Sequence, residues 1–142
     1  MAPGQLKPMG SMMGARTEAS VAKRILVVED DPAMLKLEAG ILTREGFVVD
    51  RASSGEEALD RLQATAYQAI VLDLGLPGID GFEVVRRLKE QEGPNRRVPI
   101  VIVTATGDHE AAHRGFDAGA VMFLTKPFGA RALRAAIQSV IE

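Results

Sequence analysis

In the middle of the chain, residues 69–81 read Ala-Ile-Val-Leu-Asp-Leu-Gly-Leu-Pro-Gly-Ile-Asp-Gly. Four apolar residues without polar alternation are typical of a strand that is buried on both faces of a sheet. The run ends at Asp73, and glycines follow at every third position. This glycine spacing matches neither a dinucleotide-binding fingerprint nor a P-loop. We therefore interpret Asp73 as a carboxylate at the end of a buried strand, and the glycines as residues that shape the following loop.

Similar apolar runs recur along the chain, and amphipathic stretches separate them. Asp31 is expected to cap the first helix, with Pro32 at its first position and Gly46 just past its end. Ser54 and Glu57 have the spacing of a capping box for the second helix. The predicted strands are residues 25–28, 47–49, 69–72, 100–103 and 121–124, and the later helices are expected after Gly81, at about 108–118, and along the apolar stripe Leu133, Ile137, Val140 and Ile141.

Five strands that alternate with five helices predict an α/β fold. At this size, right-handed crossovers favour a flavodoxin-like (βα)5 doubly wound parallel sheet with strand order 2-1-3-4-5. Residues 23–142 are expected to form this one domain, with no room for a second. Residues 1–22 are rich in glycine, proline and methionine and have no hydrophobic period. They are expected to be a disordered N-terminal extension or a cloning remnant.

The composition of the 142 residues excludes several classes of protein. Without cysteine, disulfides and cysteine-held zinc or iron–sulfur sites are ruled out. A net charge of -2 gives no general attraction to nucleic acid or to an anionic membrane. No apolar run approaches the roughly 20 residues that a membrane span needs. We therefore expect a cytoplasmic protein with no nucleic-acid and no membrane partner, and we interpret the basic residues between positions 86 and 97 as a solvated surface.

Polar residues follow the strands at points that a parallel sheet brings to one edge. Glu29 and Asp30 follow the first strand and Asp73 the third, beside the point where the strand order reverses. Clustered carboxylates repel one another unless a cation lies among them, and oxygen ligands suit Mg²⁺. Thr104 and Lys126, after the fourth and fifth strands, complete a cradle for a phosphoryl group. The residue types thus predict magnesium-dependent phosphorylation of an aspartate.

Four segments carry these polar residues, and they are Ile25-Leu-Val-Val-Glu-Asp-Asp31, Leu72-Asp-Leu-Gly-Leu-Pro-Gly-Ile-Asp-Gly81, Val103-Thr-Ala105 and Lys126-Pro-Phe128. Through these segments, residues 23–142 resemble the receiver domains of response regulators over their whole length, and a stand-alone, single-domain type is expected. The resemblance implies two-component signalling, in which a histidine kinase or a histidine phosphotransfer protein donates a phosphoryl group from its phosphohistidine. The expected output is a change in the face built by the fourth helix, the fifth strand and the fifth helix, which binds a downstream protein target. The chain is expected to be a monomer or a phosphorylation-dependent dimer, and not an enzyme with an external substrate.

For the acidic residues, the resemblance implies one acceptor and a metal site. Asp73 is the implied phosphoacceptor. Asp30 binds magnesium directly and Glu29 mostly through water, while Asp73 and the backbone carbonyl of Gly75 are further ligands. Glu29 stands where the family also uses aspartate, and this variant keeps the carboxylate. Asp31, the third acid in the row, is interpreted as a helix cap rather than a metal ligand.

The remaining implied roles concern binding of the phosphoryl group and the switch. Lys126 pairs with the phosphoryl group and is presented by a cis peptide bond to Pro127. The hydroxyl of Thr104 moves to bond the same group. Phe123 occupies the aromatic switch position and turns inward when Thr104 moves. Thr106 and Gly75 are small, which indicates an open path for attacking water.

Two alternatives of other kinds stay open at this stage. One is a pseudo-receiver, a binding module that works without phosphorylation. The other is a receiver fragment of a larger regulator or hybrid kinase.

Residues 109–113 read His-Glu-Ala-Ala-His and match a zinc signature, with Asp117 as a conceivable third ligand. We interpret these side chains as solvated residues of a surface helix.

Overall fold

The computed structural model describes residues 23–105, 110, 113, 114, 117 and 119–141. Residues 1–22 lie outside the described residues, as does most of the predicted helix at about 108–118. Strands and helices alternate along the rest of the chain. The strands are β1 (Arg24–Val28), β2 (Val48–Ala52), β3 (Ala69–Asp73), β4 (Ile100–Ala105) and β5 (Met122–Lys126); the helices are α1 (Pro32–Arg44), α2 (Gly55–Ala64), α3 (Gly81–Glu90) and the C-terminal helix (Ala130–Val140).

The five strands form one parallel sheet in the order β2-β1-β3-β4-β5, which confirms the predicted topology. Val28 is in register with Leu72, and Asp73 with Val103, so the carboxyl ends of β1, β3 and β4 lie side by side. At the next step along the sheet, Ala105 pairs with Lys126. The residues that follow these strands therefore meet at one edge, on the side where the order reverses.

Helices cover both faces of the sheet and create two hydrophobic clusters. Side chains of α2 and α3 pack on one face, and side chains of α1 and the C-terminal helix pack on the other. Successive residues of β1 alternate between the two clusters, because side chains of a strand point to opposite faces. None of the helices in the described part of the chain has the length and apolar character to cross a membrane.

The two edge strands depart from the prediction that every strand is buried on both faces. Strand β2 extends through Asp50 and Arg51 to Ala52, whereas the apolar run predicted only 47–49. Polar residues are tolerated there because an edge strand is only half covered. The carboxylate of Asp50 is also satisfied, since it accepts a hydrogen bond from Arg24 at 3.0 Å and another from the hydroxyl of Tyr67 at 2.7 Å.

The helix starts follow the sequence signals with two small differences. Asp31 caps α1 by accepting from the backbone N–H of Ala33 at 3.0 Å, as predicted. At α2, Ser54 accepts from the N–H of Glu57, but the Glu57 carboxylate bonds the N–H of Ser53 rather than that of Ser54. Helix α3 begins at Gly81 itself, since Asp80 is its cap.

A buried amide holds together the loops at the amino edge of the sheet. The Nδ2 of Asn95 donates to the carbonyls of Leu62 and Thr65, both at 2.7 Å, and its Oδ1 accepts from the N–H of Tyr67 at 2.8 Å. Asn95 is fully buried, so these backbone groups have no access to water. One side chain thus satisfies three backbone groups of the segment that leads into β3.

Replacing Asn95 with alanine is expected to lower the free energy of unfolding by about 2–4 kcal/mol, because three buried backbone groups lose their partner. Urea denaturation measures this change. The matched control is Gln63→Ala, which removes an exposed hydrogen bond to Gln91 and is expected to change the free energy of unfolding by less than about 0.5 kcal/mol. Equal effects of the two substitutions would contradict the structural role of Asn95.

Candidate functional site

Three carboxylates meet at the carboxyl edge of the sheet. Each of Glu29, Asp30 and Asp73 offers an oxygen that lies within 4.8 Å of those of the other two. Glu29 is 1% exposed and Asp73 is 6% exposed, whereas Asp30 reaches the solvent. Buried carboxylates at such separations repel one another strongly. Within the described part of the chain, this is the one group of three acidic or histidine side chains close enough to hold a metal ion.

The ammonium of Lys126 lies between two of these carboxylates. Its Nζ is 3.3 Å from Oδ2 of Asp73 and 3.2 Å from Oε1 of Glu29. Burial acts to lower the pKa of Lys126, but the charges of Asp73 and Glu29 outweigh burial and raise that pKa above its ordinary value. Lys126 is therefore a fixed positive charge beside the buried oxygen atoms of the site.

A hydrogen bond from the backbone holds the carboxylate of Glu29 in place. Its Oε2 accepts from the backbone N–H of Asp31 at 3.2 Å. Its Oε1 is buried and is in ion-pair contact with Lys126 at 3.2 Å. Burial, and then the charge of Asp73, raise the pKa of Glu29, while the Asp31 N–H and Lys126 act against this rise. Three carboxylates beside one ammonium leave an excess of negative charge, which fits a bound divalent cation.

The site opens to solvent through a cavity of about 460 Å³. The N–H of Gly75 donates to Oδ1 of Asp73 at 3.1 Å and fixes the carboxylate against the loop after β3. Thr104 is buried at the end of β4 and lines the same cavity. The structure thus brings six predicted site residues together, and they are Glu29, Asp30, Asp73, Gly75, Thr104 and Lys126. That Gly75 binds a metal through its carbonyl stays a prediction.

Phe123, the seventh predicted residue, is set apart from the cavity lining. It is half-buried on β5 and packs against the cluster beneath α2 and α3, so its role as a switch stays a prediction. The peptide bond between Lys126 and Pro127 is cis, as predicted. Thr106 and His109 lie outside the described residues, which leaves the zinc signature untested. Its second histidine, His113, is exposed and lies 3.6 Å from Asp117.

Sequence reasoning missed Glu38, a carboxyl buried behind the site. Glu38 is 1% exposed, and its Oε2 has no hydrogen-bond partner. Burial raises its pKa to about 8, and the charges of Glu29 and Asp73 add to the rise, while Lys126 opposes it. A signal was available, because helical periodicity places position 38 beside Ala39 and Leu42 on the buried face of α1.

Phe82 was also missed. In the sequence it looks like one more apolar residue of α3, but its side chain lines the cavity next to Gly75 and Ala105. No periodicity distinguishes a core position from a position at the rim of a site, so the sequence alone gave no signal for it.

The sequence profile described as "Response regulator receiver domain" matches residues 25–138. The chain is 44% identical over 119 residues to the transcriptional regulatory protein TcrA of Mycobacterium tuberculosis, covering 82% of this chain and 45% of TcrA. A crystal structure of a putative response regulator from Chloroflexus aurantiacus is 34% identical, with a TM-score of 0.80 and coverage of 85% of this chain and 98% of that one.

A second solved structure is the receiver domain of a sensor histidine kinase from Pseudomonas aeruginosa, which carries a magnesium ion in its active-site cleft. It is 31% identical, with a TM-score of 0.78, and covers 85% of this chain and 98% of that one. The chain spans about half the length of the curated relatives that it matches.

The buried carboxyl of Glu38 predicts a pH-dependent stability. Its pKa in the folded state, about 8, lies above its ordinary value of 4.5, so folding retains a proton that the unfolded chain releases. The contribution of this retained proton to the free energy of unfolding is fully present below about pH 4.5 and is lost as the pH rises through 8. We expect Glu38→Gln to gain stability over the wild type by roughly 1 kcal/mol per pH unit between pH 5 and 8.

Urea denaturation across this pH range measures the difference. Glu92→Gln is the control, because the Glu92 side chain is 90% exposed and pairs only with Arg96 at the surface. The free energy of unfolding of Glu92→Gln is expected to change with pH in parallel with that of the wild type. Parallel curves for the wild type and Glu38→Gln would refute the buried, protonated state of Glu38.

Proposed function

The chain belongs to the response regulator receiver domain family of two-component signalling, and from this premise we propose that Asp73 accepts a phosphoryl group and thereby switches the domain. The donor is a phosphohistidine of a histidine kinase or histidine phosphotransfer protein. The reaction is self-directed, because the acceptor is a side chain of this chain, and no external substrate is turned over.

One observation carries this proposal. Asp73 is nearly buried, yet one of its oxygens contacts the Lys126 ammonium at 3.3 Å, and two other carboxylates lie beside it. A structural aspartate at the end of a strand needs neither a lysine from another strand in contact with it nor acidic neighbours that repel it. A nucleophilic carboxylate that must receive an anionic group needs both positive charge and a metal-binding set.

The described residues divide the work of phosphoryl transfer. A carboxylate oxygen of Asp73 forms a bond to phosphorus while the bond between phosphorus and the donor's histidine nitrogen breaks. Lys126 stays within reach of the Asp73 carboxylate and pairs with a phosphoryl oxygen. Thr104, which lines the same cavity, donates a hydrogen bond from its hydroxyl to another oxygen of the phosphoryl group. Positioning and charge neutralisation supply most of the catalysis in such a transfer.

Magnesium is the cofactor that the acidic cluster fits. Asp30, Asp73 and, through water, Glu29 would hold the ion, together with the backbone carbonyl of Gly75. When bound, Mg²⁺ offsets the negative charge of the carboxylates and of the incoming phosphoryl group. The magnesium in the Pseudomonas receiver domain supports this assignment by analogy.

The phosphoryl group is expected to act by shifting a two-state equilibrium. In this proposal, Thr104 moves toward the phosphoryl group and Phe123 turns inward. The change reaches a downstream protein target through the face that includes β5 and the C-terminal helix. The cytoplasmic location and the absence of a nucleic-acid contact are proposals for residues 23–142 alone, because the curated relatives are transcriptional regulatory proteins about twice as long.

Incubation with acetyl phosphate and magnesium is expected to add the mass of one phosphoryl group to the wild type and none to Asp73→Asn. Intact-protein mass spectrometry measures this. The matched control is Asp80→Asn, since asparagine caps a helix as well as aspartate does and Asp80 lies outside the cavity lining. If neither acetyl phosphate nor a panel of phosphorylated histidine kinases labels the wild type, the protein works as a binding module and the proposal is wrong.

Asp30→Asn is expected to weaken Mg²⁺ binding by about tenfold or more, because a charged ligand of the ion is lost. Asp31→Asn, which changes the next residue at the rim but not an expected ligand, should weaken binding by less than about threefold. Isothermal titration calorimetry with MgCl₂ on the unphosphorylated protein gives both values. Similar losses for the two variants would mean that the site attracts cations by general charge and not through Asp30.

A further inference from the structure

Phe82 borders the site cavity and a second cavity. Its side chain lines both the 460 Å³ cavity of the site and a neighbouring one of about 380 Å³. The second cavity is also lined by Arg86, Arg114 and Asp117. Among the described residues, Phe82 is the one that lines both cavities, so it stands where it can limit access from one side.

Two contacts hold the ring of Phe82 in this place. On one side it packs against the hydrophobic cluster beneath α2 and α3. On the other side the guanidinium of Arg114 stacks over the ring, with its central carbon 3.9 Å from the ring centroid. This distance is well within the range of a cation–π interaction, which is worth about 0.5–1 kcal/mol at an exposed site.

Several other described residues that line the site cavity are small or buried. Gly75 has no side chain, and Ala105 has only a methyl group. Leu74 is almost entirely buried, so it offers little surface to the cavity. Among the described lining residues, Phe82 is therefore the one large apolar side chain at the rim.

We propose that Phe82, held by Arg114, is a positioning residue that restricts the access of water to the phosphoryl group on Asp73 and so prolongs the aspartyl phosphate. This inference rests on the proposed function. In the step concerned, the oxygen of water bonds to phosphorus, the bond between phosphorus and the Asp73 oxygen breaks, and inorganic phosphate leaves with a proton released to solvent. Asp73 is regenerated as a carboxylate.

A double-mutant cycle tests the proposal. Each protein is phosphorylated with acetyl phosphate and magnesium, desalted, and followed by intact-protein mass spectrometry as the phosphoryl mass disappears. Arg114→Met keeps a long side chain but removes the cation, and it is expected to shorten the half-life by about two- to fivefold, the equivalent of the cation–π contribution. Phe82→Leu is expected to shorten it at least as much. Because Arg114 acts through the ring, the double variant should match Phe82→Leu alone.

Two conservative variants and one control separate this role from a merely structural one. Phe82→Tyr and Arg114→Lys preserve the stacked pair and should keep half-lives within about twofold of the wild type. Arg86→Met removes a cation from the same neighbouring cavity, but Arg86 pairs with Glu83 and Glu90 and does not stack on the ring. Its half-life should also stay near the wild-type value. Arg114 is exposed, so Arg114→Met should leave the midpoint of urea denaturation close to that of the wild type.

The outcomes are distinct. Wild-type protein that is phosphorylated, with unchanged half-lives in Phe82→Leu and Arg114→Met, would overturn this inference and leave the proposed function standing. Additive effects of the two substitutions would also overturn it, because Arg114 would then act independently of the ring. Wild-type protein that accepts no phosphoryl group from any donor would overturn the proposed function and this inference together.

Discussion

The crowding of negative charge at the carboxyl edge of the sheet is the constraint on which the rest of the structure depends. Two of the three carboxylates, those of Glu29 and Asp73, are removed from solvent, where their mutual repulsion is poorly screened. Lys126 is the protein's own counter-charge, and it lies on β5, two positions from the strand of Asp73 and three positions from the strand that Glu29 follows. This arrangement fits the proposed function, in which a cation and an anionic group bind together.

The doubly wound sheet allows the fold to tolerate this repulsion between carboxylates. Its central strands are buried on both faces and contribute apolar surface from Ile25–Val28 and Ile70–Leu72. That burial stabilises the domain and offsets the cost of the polar edge. The polar groups nearest the core are held by backbone donors, as with the N–H of Asp31 on Glu29 and the N–H of Gly75 on Asp73. The carboxylates of the site are therefore held by backbone groups on the side of the core, and the cavity is open on the side of the solvent.

The parts of this picture that are predictable from sequence are those that short-range patterns encode. Buried strands, the caps at Asp31 and Ser54, and the order of the sheet all follow from local periodicity and crossover rules. The limits of β2 were less predictable, because the polarity of Asp50 and Arg51 is compatible with a strand only where the sheet ends. The tertiary contacts of single side chains were beyond such patterns. The hydrogen bonds of the Asn95 side chain join residues that are about 30 positions apart in the sequence. The cation–π contact of Arg114 with Phe82 joins two helical segments.

The placement of Tyr67 has a spectroscopic consequence. The chain contains one tyrosine and no tryptophan, so its near-ultraviolet signal comes mainly from a single ring. That ring is buried at the amino edge of the sheet, where its hydroxyl donates to Asp50 and burial raises the pKa of the phenol to about 12. Tyrosine fluorescence and absorbance therefore follow the integrity of the sheet at the end opposite the acidic cluster. Optical titrations of the cluster call for a chromophore introduced near it.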